Sequence, residues 1–293
     1  MKDLRGTGVA LVTPFAEDGS VDHPALRKVV RHVINGGVNY LVGLGTTGES
    51  VTLSNDEQHE VIRTILAENS GQVPVVLGAG GNNTANVMET MRDFEAKYSP
   101  AAFLSVCPYY NKPNQEGLFR HFEAVSGATD TPVILYNVPG RTSSNLLPST
   151  VKRIAFACPS TVAIKEASGN VEQGMEVVGS KRPGFLVLSG DDTLAISQIA
   201  AGFDGVISVM ANAMPREFTK IVNHSLAGEF NEAQKAHYAI FGLMQLNFTE
   251  GNPAGVKAML ELQGICSRKV RLPLAEATDE LVGKMKQMFE MQK

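Results

Sequence analysis

The run Thr161-Val162-Ala163-Ile164-Lys165 decides the reading of the fold. Four uncharged residues, two of them strongly apolar and β-branched, lead into a single lysine. A strand of this kind is covered on both faces, as in a parallel sheet. Parallel strands need long crossovers, usually helical. Working outward, runs of the same character occupy residues 8–13, 40–44, 73–78, 101–107, 132–137, 185–189 and 205–209. Amphipathic stretches separate them, among them 24–35, 56–69, 84–97 and 115–127. Ser54 and Glu57 have the spacing of a capping box at the start of the second helix. Eight strand–helix units in succession predict an α/β fold, a closed (β/α)8 TIM barrel. An open, doubly wound sheet is the alternative that the pattern alone leaves standing.

Composition fits this. The chain has 293 residues, 43% hydrophobic and 19% charged, enough for one large core. A net charge of -4 and the lack of any lysine/arginine run argue against a nucleic-acid partner. No apolar stretch approaches a membrane span, and Met1-Lys2-Asp3-Leu4-Arg5 lacks the apolar region of a signal peptide. The expectation is a cytoplasmic protein without membrane contact. Cys107, Cys158 and Cys266 are few and far apart, and read as buried small hydrophobes. After the eighth strand, helical stretches at 231–247, 253–263 and 279–292 exceed what a barrel needs. They predict a barrel over residues 1–228 and a C-terminal helical appendage over 229–293.

In such a barrel the chemistry lies at the C-terminal ends of the strands. Lys165 ends an otherwise charge-free strand. Alternation turns Val162 and Ile164 toward the helices, and Ala163 and Lys165 toward the interior. A lysine there loses hydration, and its neutral amine is a nucleophile for a ketone. A lysine that reaches solvent or pairs with Glu166 is the plainer alternative. Tyr136 closes the neighbouring strand and also points inward, where a phenol could shuttle protons beside the amine. A core tyrosine with a satisfied hydroxyl is its alternative. Thr46 and Thr47 sit in a glycine-flanked turn whose hydroxyls and N–H groups suit a carboxylate, or a proton transfer to Tyr136. Arg141 follows a Pro-Gly turn, and its planar fork suits a second carboxylate. A plain tight turn and a surface arginine are the corresponding alternatives.

Gly43-Leu44-Gly45-Thr46-Thr47-Gly48 matches a dinucleotide fingerprint in letters only. Its last glycine opens no helix, because Glu49 to Leu53 intervene before the Ser54 cap. The six histidines, His23, His32, His59, His121, His224 and His237, are scattered without paired spacing. Neither a metal nor a cofactor is expected, and carbonyl chemistry without a metal needs an amine, which again points to Lys165.

Together, Gly8–Phe15, Gly45–Ser50, Pro108–Asn111, Tyr136–Thr142, Ile164–Gly169, Gly190–Asp192, Asn252-Pro253 and Arg271-Leu272-Pro273 resemble the dihydrodipicolinate synthase family of pyruvate-dependent class I aldolases. The resemblance runs over nearly the whole chain. It implies condensation of pyruvate with L-aspartate-4-semialdehyde in diaminopimelate and lysine biosynthesis. It implies Lys165 as the Schiff-base lysine, with Thr46, Tyr110 and Tyr136 as a proton relay. It further implies Thr47 on the pyruvate carboxylate, Arg141 on the semialdehyde carboxylate, and Gly190 and Ile207 lining the pocket. The usual assembly of the family is a homotetramer of two tight dimers, in which the tyrosine matching Tyr110 reaches the neighbouring subunit's site. N-acetylneuraminate lyases and sugar-acid aldolases share the lysine and tyrosine, and are expected to lack the arginine. They form the alternative activity, and a pyruvate-binding barrel without turnover is the non-enzymatic one. Strongly lysine-inhibited relatives carry two histidines and a glutamate where this chain has Asn55, Gln58 and Asn86, which implies weak inhibition by lysine.

Overall fold

A computed structural model describes residues 4–290. In chain order its elements are β1 (Gly6–Ala10), α1 (His23–Asn35), β2 (Tyr40–Gly43), α2 (Asn55–Asn69), β3 (Val75–Gly78), α3 (Thr84–Tyr98), β4 (Ala102–Val106), α4 (Gln115–Ser126), β5 (Val133–Asn137), the short α5 (Pro139–Thr142), α6 (Pro148–Ala157), β6 (Thr161–Glu166), α7 (Val171–Ser180), β7 (Leu186–Ser189), α8 (Ala195–Ala200), β8 (Gly205–Ser208), α9 (Pro215–Leu226), α10 (Phe230–Leu246), α11 (Ala254–Leu262) and α12 (Asp279–Glu290). The strands form a closed barrel in the order β1 to β8; β1 pairs with β2 in parallel, and so do the successive neighbours from β3 to β8. This is the (β/α)8 fold expected from the strand pattern; the open sheet is not formed. The C-terminal helical appendage is present as α10 to α12, and the expected helix at 279–292 is helical to Glu290, its last two residues lying outside the described residues.

By internal contacts the chain divides into two compact units. One holds, among the described residues, Leu4, Arg5 and Pro74–Ile207. Its strands are buried at nearly every position, β5 and β6 at all of them. The register runs Tyr136 to Lys165 to Leu188 to Gly205 across β5, β6, β7 and β8. Residues in register share a face, and the alternate residues Asn137, Glu166 and Ser189 share the other.

The second unit holds Gly6–Val73 and residues 208–290. Here β1 and β2 pair from Gly8–Tyr40 to Ala10–Val42, and Leu11 continues the ladder by donating to Val42 O at 2.9 Å. The capping box forms as its spacing predicts. Glu57 N donates to Ser54 Oγ at 3.2 Å, and Ser54 N donates back to the Glu57 carboxylate at 2.9 Å. All three cysteines are free and buried. Among the described residues, no helix is long and apolar enough to cross a membrane.

Candidate active site

Lys165 and Tyr136 lie directly opposite each other on β6 and β5. Their side chains are 5% and 8% exposed, and Lys165 Nζ stands 4.4 Å from the centre of the Tyr136 ring. The neighbouring residues identify the face. Asn137 and Glu166, one step further along each strand, turn to the helix side: Glu166 Oε2 accepts from Asn137 Nδ2 at 3.0 Å and from Gln173 Nε2 of α7 at 3.3 Å. Lys165 and Tyr136 therefore point into the barrel, as alternation predicts. The alternative in which Glu166 neutralises Lys165 is not formed. The second Glu166 oxygen accepts from Ser168 N at 2.7 Å.

That helix-side cluster is an ordering device which the sequence reading missed. Asn137 Nδ2 also donates to Asn145 Oδ1 at 2.9 Å, and its own Oδ1 accepts from Leu146 N at 2.9 Å. Asn145 Nδ2 donates to Gln173 Oε1 at 2.8 Å. A fully buried carboxylate with three donors is thus satisfied without a cation. It locks the ends of β5 and β6 together. Nearby, burial first and the Glu166 charge second drive the Cys107 thiol above its ordinary pKa, so Cys107 is an inert small hydrophobe.

Gly190 and Ile207 follow Leu188 and Gly205 by two residues, on the Lys165 face. A Cβ on Gly190 would fall 2.9 Å from Lys165 Cε and 2.5 Å from Ala167 Cβ. Gly190 is thus a glycine because the lysine stem passes over it. Arg141 is exposed on α5, which begins at Pro139 and is closed by Ser143 at φ 56°. Tyr110 is 89% exposed at φ 73°, a backbone region disfavoured for a side chain with a Cβ. Next to it, Asn111 Nδ2 donates to Asn82 O at 3.0 Å, and Asn82 Nδ2 to Tyr109 O at 3.2 Å.

In the second unit, the Gly45–Leu53 segment makes two short 3-10 turns, Thr46–Gly48 and Ser50–Thr52, before Ser54 caps α2. The fingerprint-like glycines therefore serve a tight turn and no dinucleotide helix. Thr46 is exposed and Thr47 buried. Thr47 Oγ1 accepts from Asn252 Nδ2 at 3.0 Å, which leaves its own proton free to donate. Between the turns, Glu49 makes an ion pair with Lys257 of α11 at 2.5 Å. Burial pulls the Lys257 ammonium below its ordinary pKa, against the Glu49 carboxylate, which pushes it up. In the sequence Lys257 stands out as a lone lysine in the apolar run Ala254-Gly255-Val256-Lys257-Ala258-Met259-Leu260, but nothing there names Glu49 as its partner. Among the described residues, no group of three or more histidine, cysteine or acidic side chains could hold a metal.

Known proteins resemble this chain over nearly its whole length. Residues 3–292 match the dihydrodipicolinate synthetase family. The chain is 49% identical over 287 residues to the 4-hydroxy-tetrahydrodipicolinate synthase of Flavobacterium psychrophilum, covering 97% of each chain. Its fold superposes on the crystal structure of dihydrodipicolinate synthase from Thermotoga maritima with a TM-score of 0.96, at 38% identity and 98% coverage of both chains. It likewise matches the chloride-inhibited dihydrodipicolinate synthase of Acinetobacter baumannii complexed with pyruvate, with a TM-score of 0.95, 36% identity and 99% coverage of both.

Proposed function

The chain belongs to the dihydrodipicolinate synthetase family, and from that premise we infer that it is a lyase condensing pyruvate with L-aspartate-4-semialdehyde to give 4-hydroxy-tetrahydrodipicolinate, in diaminopimelate and lysine biosynthesis. The observation that carries the reading is the buried amine of Lys165 facing the Tyr136 ring, with Gly190 clearing its path.

The chemistry follows from those groups. The Lys165 amine adds through its lone pair to the C2 carbonyl of pyruvate, and the carbinolamine loses one water to give an imine. Loss of a methyl proton yields the enamine, whose carbon attacks the aldehyde of the second substrate. The aldehyde oxygen takes up a proton and becomes a hydroxyl. The substrate's own amine then displaces Lys165 and closes the ring, so that one water is released overall. Each step moves a proton at nitrogen or oxygen, a task for which the Tyr136 phenol is suited. In this reading Thr46 and Tyr110 complete the relay, Thr47 donates to the pyruvate carboxylate, Arg141 pairs with the semialdehyde carboxylate, and Gly190 and Ile207 line the pocket. The exposure of the Tyr110 ring supports its donation to a neighbouring copy in a tight dimer, and family membership supports a homotetramer of two such dimers. Family membership supports a cytoplasmic location.

Borohydride reduction with pyruvate, followed by peptide mass spectrometry, tests the reading. A pyruvate-derived mass at Lys165 is the expected result, and an adduct at another lysine overturns it. In the same assay series, Arg141→Ala is expected to leave the adduct intact and to weaken semialdehyde use by about tenfold or more, the value of one charge-assisted contact. Equal loss of both would assign Arg141 to the loop instead. Turnover of the semialdehyde in preference to N-acetylmannosamine separates the synthase from the related aldolases.

A further inference from the structure

Glu49 stands at a place where the backbone resists it. Its φ of 52° lies in the left-handed region, which is disfavoured for a residue with a Cβ. Yet it joins the two short turns: its N–H donates to Thr46 O at 3.0 Å, and its carbonyl accepts from Thr52 N and Thr52 Oγ1, each at 2.9 Å. Its carboxylate holds it there. Oε1 accepts from Lys257 Nζ at 2.5 Å, and Oε2 from Arg271 N at 3.0 Å. The Lys257 ammonium is fully used as well. It donates to Lys269 O at 2.7 Å and lies 4.2 Å from the Phe15 ring centre, and neither side chain of the pair is more than 1% exposed.

A pair so buried is a poor source of net stability, because the cost of removing both charges from water offsets their attraction. What it supplies is geometry. Thr47 precedes Glu49 by two residues, and Asn252 precedes Lys257 by five. The segment 252–257 thus grips the turn 47–49 at two points: Asn252 on the Thr47 hydroxyl and Lys257 on the Glu49 carboxylate. Gly48 between them is held by Thr13 Oγ1, which donates to its carbonyl at 2.7 Å. With Asn252 filling one acceptor position of the Thr47 oxygen, the hydroxyl proton is aimed away from Asn252.

We propose that the Glu49–Lys257 ion pair is a positioning device for the Thr47 hydroxyl, fixing the turn so that it can donate to a substrate carboxylate. The proposal rests on the reading of Thr47 as the pyruvate-carboxylate donor. Both residues act through Thr47 and touch no reacting atom. Loosening the turn weakens pyruvate binding and leaves the Lys165 amine in place. KM for pyruvate is therefore the quantity that moves.

The test uses the full-length enzyme and two variants. Glu49→Gln/Lys257→Met removes both charges together and leaves neither one buried alone. Glu49→Asp keeps the charge pair and shortens its reach by one methylene. For both, circular dichroism and thermal melting establish folding, and steady-state kinetics give KM and kcat for pyruvate. The expected result is a KM raised about tenfold or more, the value of one hydrogen bond to a charged group, with kcat changed much less. Borohydride at saturating pyruvate still labels Lys165. An unchanged KM in either folded variant, or a fall in kcat with KM constant, overturns the proposal. If the double variant does not fold, Glu49→Asp decides alone. Failure of the underlying reading shows differently, as an unchanged KM for pyruvate in Thr47→Val, which lacks the donating hydroxyl, or as absence of the Lys165 adduct in the unsubstituted enzyme.

Discussion

Tyr136 and Lys165 are register partners on adjacent parallel strands, and the lysine nitrogen lies 4.4 Å from the centre of the tyrosine ring. The ring face holds the amine by cation–π attraction while it is charged. The hydroxyl at the far edge of the ring is left for chemistry on whatever the nitrogen becomes attached to. One side chain thus has two separable parts, a platform and a proton carrier.

Tyr136→Phe keeps the platform and removes the carrier. The melting temperature is expected to stay within a few degrees, since a largely buried ring is replaced by a ring. kcat is expected to fall by about 10²–10⁴, the usual contribution of a positioned acid–base group. Borohydride adduct still forms at Lys165, more slowly. A fall in kcat of less than tenfold would show that Tyr136 serves packing alone.

Gly190→Ala tests the path of the lysine stem. The new methyl would fall 2.5 Å from Ala167 Cβ and 2.9 Å from Lys165 Cε, so one of them must move. Overpacking of this kind costs about 1–3 kcal/mol. The backbone is anchored, because Gly190 N donates to Glu166 O at 2.8 Å, so the lysine stem is the part that yields. The expected outcome is a lower melting temperature together with a larger loss in the rate of imine trapping. Ala167→Gly added to Gly190→Ala is expected to recover part of both. Full trapping by the single variant would show that Lys165 has room to spare.

These two neighbours of Lys165 show what a sequence can carry. Alternation along 161–165 is local, so it gave the inward direction of Lys165 and the opposite direction of Val162 and Ile164. The capping box of Ser54 and Glu57 spans three residues and was equally readable. The first strand was expected at 8–13 and runs Gly6–Ala10; the extended chain beyond Ala10 is apolar too, but only Leu11 keeps a ladder bond to Val42. The Glu166 cluster and the Glu49–Lys257 pair were out of reach for another reason. Glu49 and Lys257 are 208 residues apart, and nothing in the periodicity of either segment says that the charges cancel each other. Glu166 was readable only as a partner for the adjacent Lys165. Its true partners, Asn137 and Gln173, come from a different strand and from a helix.

The last expectation concerns acid stability and a histidine that has no part in the chemistry. His121, on α4, is 5% exposed, and its Nδ1 lies 2.9 Å from Thr84 Oγ1. Its Nε2 is buried without a hydrogen-bond partner. Burial lowers its pKa from 6.5 to about 4. The folded protein therefore keeps His121 neutral where the unfolded chain protonates it. Between about pH 6.5 and 4 the unfolded state binds the extra proton, so this residue makes stability fall as the pH falls through that window. Above the window both states are neutral, below it both are charged, and neither side adds further dependence. A shift of this size is worth about 3 kcal/mol across the full window. His121→Gln keeps a polar partner for Thr84 and does not titrate. Urea unfolding of both proteins at pH 7.5 and pH 4.5 isolates the effect, because every other titrating group cancels in the difference. The unsubstituted protein is expected to lose about 2–3 kcal/mol more than the variant between the two conditions. Equal losses would mean that His121 finds a partner for its second nitrogen and is charged in the folded state at the lower pH.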